Sequence, residues 1–137
     1  NPTVATGFFD TNLKPIPVYL PGEMTLITAE AYARKDNLPQ AVIELNKVLT
    51  KTAAGDTYGI GANLPPYAGA LTKPAILTDI YRNHCIEMYM SSLKLEDSRR
   101  FDRPGAGTPG AERNRNWYPY PDSERNNNTN TPPDPAI

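Results

Sequence analysis

Apolar positions recur with a helical period over two adjoining stretches, and again after a long gap. Over 23–35, Met24, Ile27 and Ala31 fall on one stripe and Leu26, Ala29 and Ala33 on the next. That spacing predicts an amphipathic helix. Glu23 in the first turn and Arg34 and Lys35 in the last complement the helix dipole. Asp36 and Asn37 supply a turn, and Pro39 suits an early helical position, where its missing N–H costs nothing. Leu38, Ala41, Val42, Leu45, Val48 and Leu49 then predict a second helix over 38–51. Two helices joined so tightly form an αα-hairpin. The alanines at 29, 31, 33 and 41 permit the close approach of a tetratricopeptide-like unit. One such unit cannot bury both faces, and about three are normally needed.

Residues 52–71 read as a loop rich in Gly, Ala and Pro, with Tyr58 and Tyr67 as its aromatics. A connection of this length either packs through its own side chains or carries function. A third helix is predicted over 72–103, with Thr72 as N-cap and Pro74 in the first turn. Its expected buried stripe is Ile76, Leu77, Ile80, Tyr81, His84, Met88 and Leu95. Prolines frame the helical part. Residues 1–22 predict an extended leading strap, because each residue before proline is pushed out of the helical region. Residues 104–137 predict an irregular closing strap, rich in Pro and Asn. The expectation is a mainly α chain: one domain over 1–137, built from a tetratricopeptide-like hairpin, a third helix and two straps.

Composition narrows the function classes. The 14 basic and 15 acidic residues nearly cancel, which argues against a nucleic-acid binder with a basic face. A lone cysteine, Cys85, excludes an internal disulfide framework. His84 beside it is the sole histidine, and neighbours on a helix point about 100° apart, so neither a metal set nor a nucleophile–base pair is formed. Gly59, Gly61 and Gly69 make no phosphate-binding loop, because no strand–loop–helix unit surrounds them. No cofactor or catalytic residue is expected, and the chain reads as a non-enzyme. No run of 18 apolar residues is present, so no transmembrane helix is expected.

Two clusters remain as candidate chemistry. Glu96, Asp97, Arg99, Arg100, Asp102 and Arg103 form a dense run of charge, read as an ion-pair network at a helix end. In it, Arg100 and Arg103 are expected to hold backbone carbonyls of the strap. Trp117, Tyr118 and Tyr120 stand beside Asn114, Arg115 and Asn116. The aromatic faces can stack on the C–H faces of sugar rings while the polar neighbours bond hydroxyls. The same run also reads as a buried anchor gluing the strap to the helices, and that reading is favoured. With Tyr67 of the loop, these aromatics are the candidate ligand-binding residues.

Three blocks in order resemble the C-terminal end of the SusD/RagB family of nutrient-uptake outer-membrane proteins. GEMTLITAEAYARKDNLPQAVIELNKVL resembles the family's final tetratricopeptide-like hairpin. IEMYMSSLKLEDSRRF resembles its third-helix block, with Glu87, Asp97, Arg99 and Arg100 at the family's positions and therefore implied structural anchors. ERNRNWYPYPDSERNNNTNTPPDP resembles the closing strap, with Pro119, Pro121, Glu124 and Asn128 in its signature. Ser91 and Ser92 depart from the Glu-Gly common in the family. The resemblance implies part of an α–α superhelix. It implies a glycan- or oligosaccharide-binding surface lipoprotein of a Bacteroidetes-type outer membrane, which acts without catalysis. The implied partner is a TonB-dependent SusC-like barrel, and membrane attachment would run only through a lipid anchor on an N-terminal part not included in this sequence. The chain is then expected to be a C-terminal piece of a longer protein. The alternative is a tetratricopeptide-like scaffold that binds a protein partner.

Overall fold

The computed structural model describes residues 13, 17–89 and 94–134. Among these it is helical, with no strand: α1 (Pro21–Arg34), α2 (Leu38–Leu49), α3 (Lys73–Glu87), α4 (Lys94–Arg100) and α5 (Asp122–Asn127). The sequence reads as one domain, and the coordinates divide it into two compact units, Asn1–Ser91 and Ser92–Ile137. Most of the leading strap lies outside the described residues, and Pro21 and Gly22 already belong to α1.

In the first unit α1, α2 and α3 each pack on the other two. Pro sits in the first turn of all three, where its fixed φ starts a helix without wasting a donor. Glu23 accepts the backbone N–H of Leu20 at 3.3 Å and secures the start of α1. The helix closes with Asp36 at φ 62°, as Asp36 donates to the carbonyl of Ala33 at 3.1 Å and Asn37 to that of Tyr32 at 2.9 Å. This is a Schellman closure, with aspartate at the left-handed position that glycine usually fills.

The core is drawn from Leu26, Ala29, Ala33, Ala41, Leu45, Val48, Ile76 and Ile80. One of the two stripes predicted on α1 is therefore correct, and the other is not. Met24 and Ile27 are 41% and 44% exposed, and Ala31 is exposed with them. The i, i+3, i+7 spacing marks a face of the helix, but both faces of α1 carry it, and α2 and α3 cover the alanine-bearing one. The third helix also ends earlier than predicted. α3 stops at Glu87, and Met88 and Tyr89 close it with bonds to the carbonyls of His84 and Ile86. Residues 90–93 lie outside the described set. Leu95, the last residue of the predicted stripe, belongs to α4 in the second unit.

The loop over 52–71 packs back on its own helix. Asn63 and Leu64 donate to the carbonyls of Lys51 and Leu49 at 2.9 and 2.8 Å. Asp56 accepts the N–H groups of Tyr58 and Ile60 at 2.8 and 3.1 Å. This folds Asp56 toward Lys51, 3.0 Å away, and the same ammonium pairs with Glu87 of α3. Burial alone would lower the Lys51 pKa, but its bonds to Glu87 and Asp56 outweigh that and hold it above the ordinary lysine value. Burial would likewise raise Asp56, and its bonds to Lys51 and to the two backbone N–H groups hold it below the ordinary carboxylate value.

Glu87 is 4% exposed. Its side chain lies where a Cβ on Gly22 would stand, meeting Cγ at 2.8 Å and the carboxylate closer still. Pinned by Lys51, that carboxylate cannot swing away. In an unhindered helix Gly→Ala stabilises by up to about 1 kcal/mol. Here Gly22→Ala is expected to destabilise by about 1–3 kcal/mol, the usual cost of overpacking. Urea denaturation measures it, and a stabilised variant would show that Gly22 and Glu87 are not in contact.

Candidate ligand groove

The second unit is ordered by hydrogen bonds and ion pairs more than by core. α4 is short, with Leu95, Asp97 and Ser98 buried and Ser98 donating to the carbonyl of Leu95 at 2.8 Å. Its charges pair at i, i+3: Glu96 with Arg99 at 3.3 Å and Asp97 with Arg100 at 2.8 Å. The helix ends as α1 does. Asp102, at φ 56°, donates to the carbonyl of Arg99 at 3.0 Å, and Arg103 donates to that of Ser98 at 2.8 Å.

From there the strap turns back onto α4, and Arg113 holds it. Its guanidinium donates to the carbonyl of Arg103 at 2.8 Å, to Ser98 Oγ at 3.4 Å and to Asn116 Oδ1 at 3.1 Å. Asn116 also accepts the N–H of Ala106 at 3.2 Å. A Cβ on Gly105 would stand 2.7 Å from Asn116 Oδ1 and 2.8 Å from Arg113 Nη2, so only glycine lets the strap pass this close. Arg113 also holds a backbone carbonyl at this turn, a role expected of Arg100 and Arg103, and Arg103 pairs with the Glu112 carboxylate.

This arrangement leaves an open groove of about 590 Å³ beside α4, within the size range of small-molecule sites. It is lined by Lys94 and Leu95 of α4, by residues 111–115 and by Tyr118. Tyr118 is 55% exposed, and Asn114 and Arg115 beside it are exposed as well. An aromatic residue on a groove with an amide and a guanidinium can hold a flat apolar surface while bonding its polar rim.

The four aromatic residues singled out in the sequence do not form one platform. Tyr118 lines the groove. Trp117 instead lies against Arg99, whose guanidinium carbon sits 4.2 Å from the ring centroid. Tyr120 belongs to the closure of the strap: its N–H donates to Asp134 at 3.0 Å, its carbonyl accepts from Arg125 at 3.0 Å, and Arg125 pairs with Asp134 at 3.1 Å. Tyr67 is in the first unit, donating its hydroxyl to the carbonyl of Ala70 at 2.8 Å and lining a shallow pocket with Asp79 and Arg82. Burial, and secondarily the charge of Asp79, raise the pKa of its phenol, which stays neutral.

Of the implied anchors, Glu87 is the buried partner of Lys51 in the first unit, and Asp97, Arg99 and Arg100 stand on α4. The sequence reading missed Lys94, Glu112 and Arg113. Arg113 and Glu112 open the ERNRN run, whose density of charge was a usable signal. Lys94 carried none. Among the described residues no group of three His, Cys, Asp or Glu could hold a metal ion, and no helix is long and apolar enough to cross a membrane. In comparisons with known proteins, no family model, no curated protein and no solved structure matches this chain.

The favoured reading of Trp117 as a buried anchor is not what the structure gives. The residue is 51% exposed, with its ring against the Arg99 guanidinium. Trp117→Ala is therefore expected to cost about 1 kcal/mol or less, the scale of an exposed cation–π contact, instead of the roughly 3–5 kcal/mol of a buried aromatic. As Trp117 is the sole tryptophan, its fluorescence gives a direct check. Acrylamide should quench it readily in the native chain, and a shielded, blue-shifted emission would restore the buried anchor.

Proposed function

We propose that this chain is the C-terminal region of a SusD/RagB-like nutrient-capture lipoprotein. In this reading it binds glycan or oligosaccharide without catalysis and works with a TonB-dependent SusC-like barrel at the outer membrane. The observation that carries the reading is the order of the three sequence blocks over one chain. Several of the residues that bear the resemblance also make specific contacts, which supports it. Glu87 packs against Gly22 of the GE start and pairs with Lys51. Glu124 of the strap signature accepts a bond from Asn128 at 2.6 Å within the turn of α5. The groove beside Tyr118 supplies a sugar-sized surface with a stacking face and polar neighbours.

A scaffold for a protein partner is the second reading. It is favoured by the uncovered apolar face of α1, where Met24 and Ile27 stand exposed, and by Ile43 on α2, which is 52% exposed.

Fractionation of the native parent protein, detected with an antibody to this segment, separates the two. A lipid-modified chain much longer than 137 residues, found in outer-membrane fractions with a co-purifying barrel, is the expected result. A free chain in the soluble fraction would contradict the nutrient-capture reading and leave the scaffold.

A further inference from the structure

The groove has a sign of charge that the composition of the chain does not. Overall the chain carries a formal net charge of −1. The groove carries three cations, Lys94, Arg113 and Arg115, and one carboxylate, Glu112, which is joined to Arg103. Among the described residues none of the three cations is paired with a carboxylate. Arg113 spends its bonds on neutral acceptors, namely a carbonyl, a hydroxyl and an amide oxygen, so its full charge remains. Those bonds also fix the guanidinium in place, so presenting it to a ligand costs no further ordering. Lys94 and Arg115 are exposed on the groove. A cleft with an excess of one sign of charge concentrates ligands of the other sign and strengthens the bonds they make. Tyr118, on the same groove, adds an aromatic face.

We infer that this groove takes an acidic saccharide, a sugar bearing carboxylate groups, with Tyr118 stacking on the ring and Lys94 and Arg115 meeting the carboxylates against the fixed charge of Arg113. A neutral sugar would leave the positive excess of the groove unneutralised. The inference rests on the saccharide-binding reading above and names the class of ligand within it.

Calorimetric titration of the chain with tetragalacturonate, with its tetramethyl ester and with inorganic sulfate tests the inference. The acid is expected to bind and the ester, which has the same carbon skeleton without the charge, to bind at least about tenfold more weakly. Binding of the acid should weaken as salt rises from about 0.01 to 0.15 M. Lys94→Gln and Arg115→Gln, both at exposed positions where folding is not at stake, should each weaken it by about tenfold. Equal binding of acid and ester would overturn the charge selectivity and leave the saccharide reading standing. Sulfate competing as well as the sugar acid would overturn the saccharide and leave only an anion site. No binding of either sugar would overturn both.

Discussion

A single buried carboxylate sets the arrangement of the first unit. Glu87 comes from the last turn of α3, occupies the space above Gly22 at the start of α1, and pairs with Lys51 just past the end of α2. The three helices therefore meet at one charged group. Burying a carboxylate costs several kcal/mol unless it is paired and bonded, so the partners are not optional. Lys51 must reach inward, and the loop must fold so that Asp56 shares the ammonium. Gly22 must lack a side chain. The apolar contacts of Leu26, Leu45, Ile76 and Ile80 supply the burial, but they would tolerate sliding. The ion cluster fixes which residues face each other.

The second unit follows a different logic. Its prolines, asparagines and charged residues offer little apolar surface, so order comes from satisfying backbone groups individually. Arg113 is the hub, as a guanidinium has five donors in a rigid fork. Gly105 and Asn116 admit it, and the Arg125–Asp134 pair closes the strap further on. Ordering irregular chain in this way leaves polar side chains and aromatic rings on the surface instead of in a core, and the groove beside Tyr118 is a product of that economy.

Much of the first unit was legible in the sequence. Its three helices announce themselves by period, and α2 and α3 also by proline in the first turn, and their starts fall within two residues of expectation. What the period could not decide was which face of α1 is covered, since both stripes are apolar. The end of α1 was legible as well, since Asp36 and Asn37 read as a turn, and both α1 and α4 close on an aspartate in the left-handed conformation, Asp36 and Asp102, where the usual signal is glycine. The helix pattern from Thr72 onward did not disclose that α3 stops at Glu87 and that α4 stands in another unit. α5 lay hidden in what reads as irregular strap, although Pro121, an acidic first turn and Arg125 in the last turn are the marks of a short helix. The aromatics Trp117, Tyr118 and Tyr120 stand together in sequence but not in one site. Their separation into a stack on Arg99, a groove wall and a strap closure depends on turns made by Asp102, Gly105 and Arg113, which no local pattern encodes.

The dependence of the first unit on Glu87 is open to a double-mutant cycle, with Lys51→Met, Glu87→Leu and the combined variant compared by urea denaturation. Lys51→Met strands the buried Glu87 and is expected to cost about 3–5 kcal/mol, whereas Glu87→Leu leaves Lys51 its second partner, Asp56, and is expected to cost less. The double variant removes the stranded Glu87 carboxylate, while Asp56 keeps its two backbone N–H bonds, and should recover part of the Lys51→Met loss, giving a coupling of at least about 1 kcal/mol. Simple additivity of the two single changes would contradict the account, because it would mean that Lys51 and Glu87 do not meet in the folded chain.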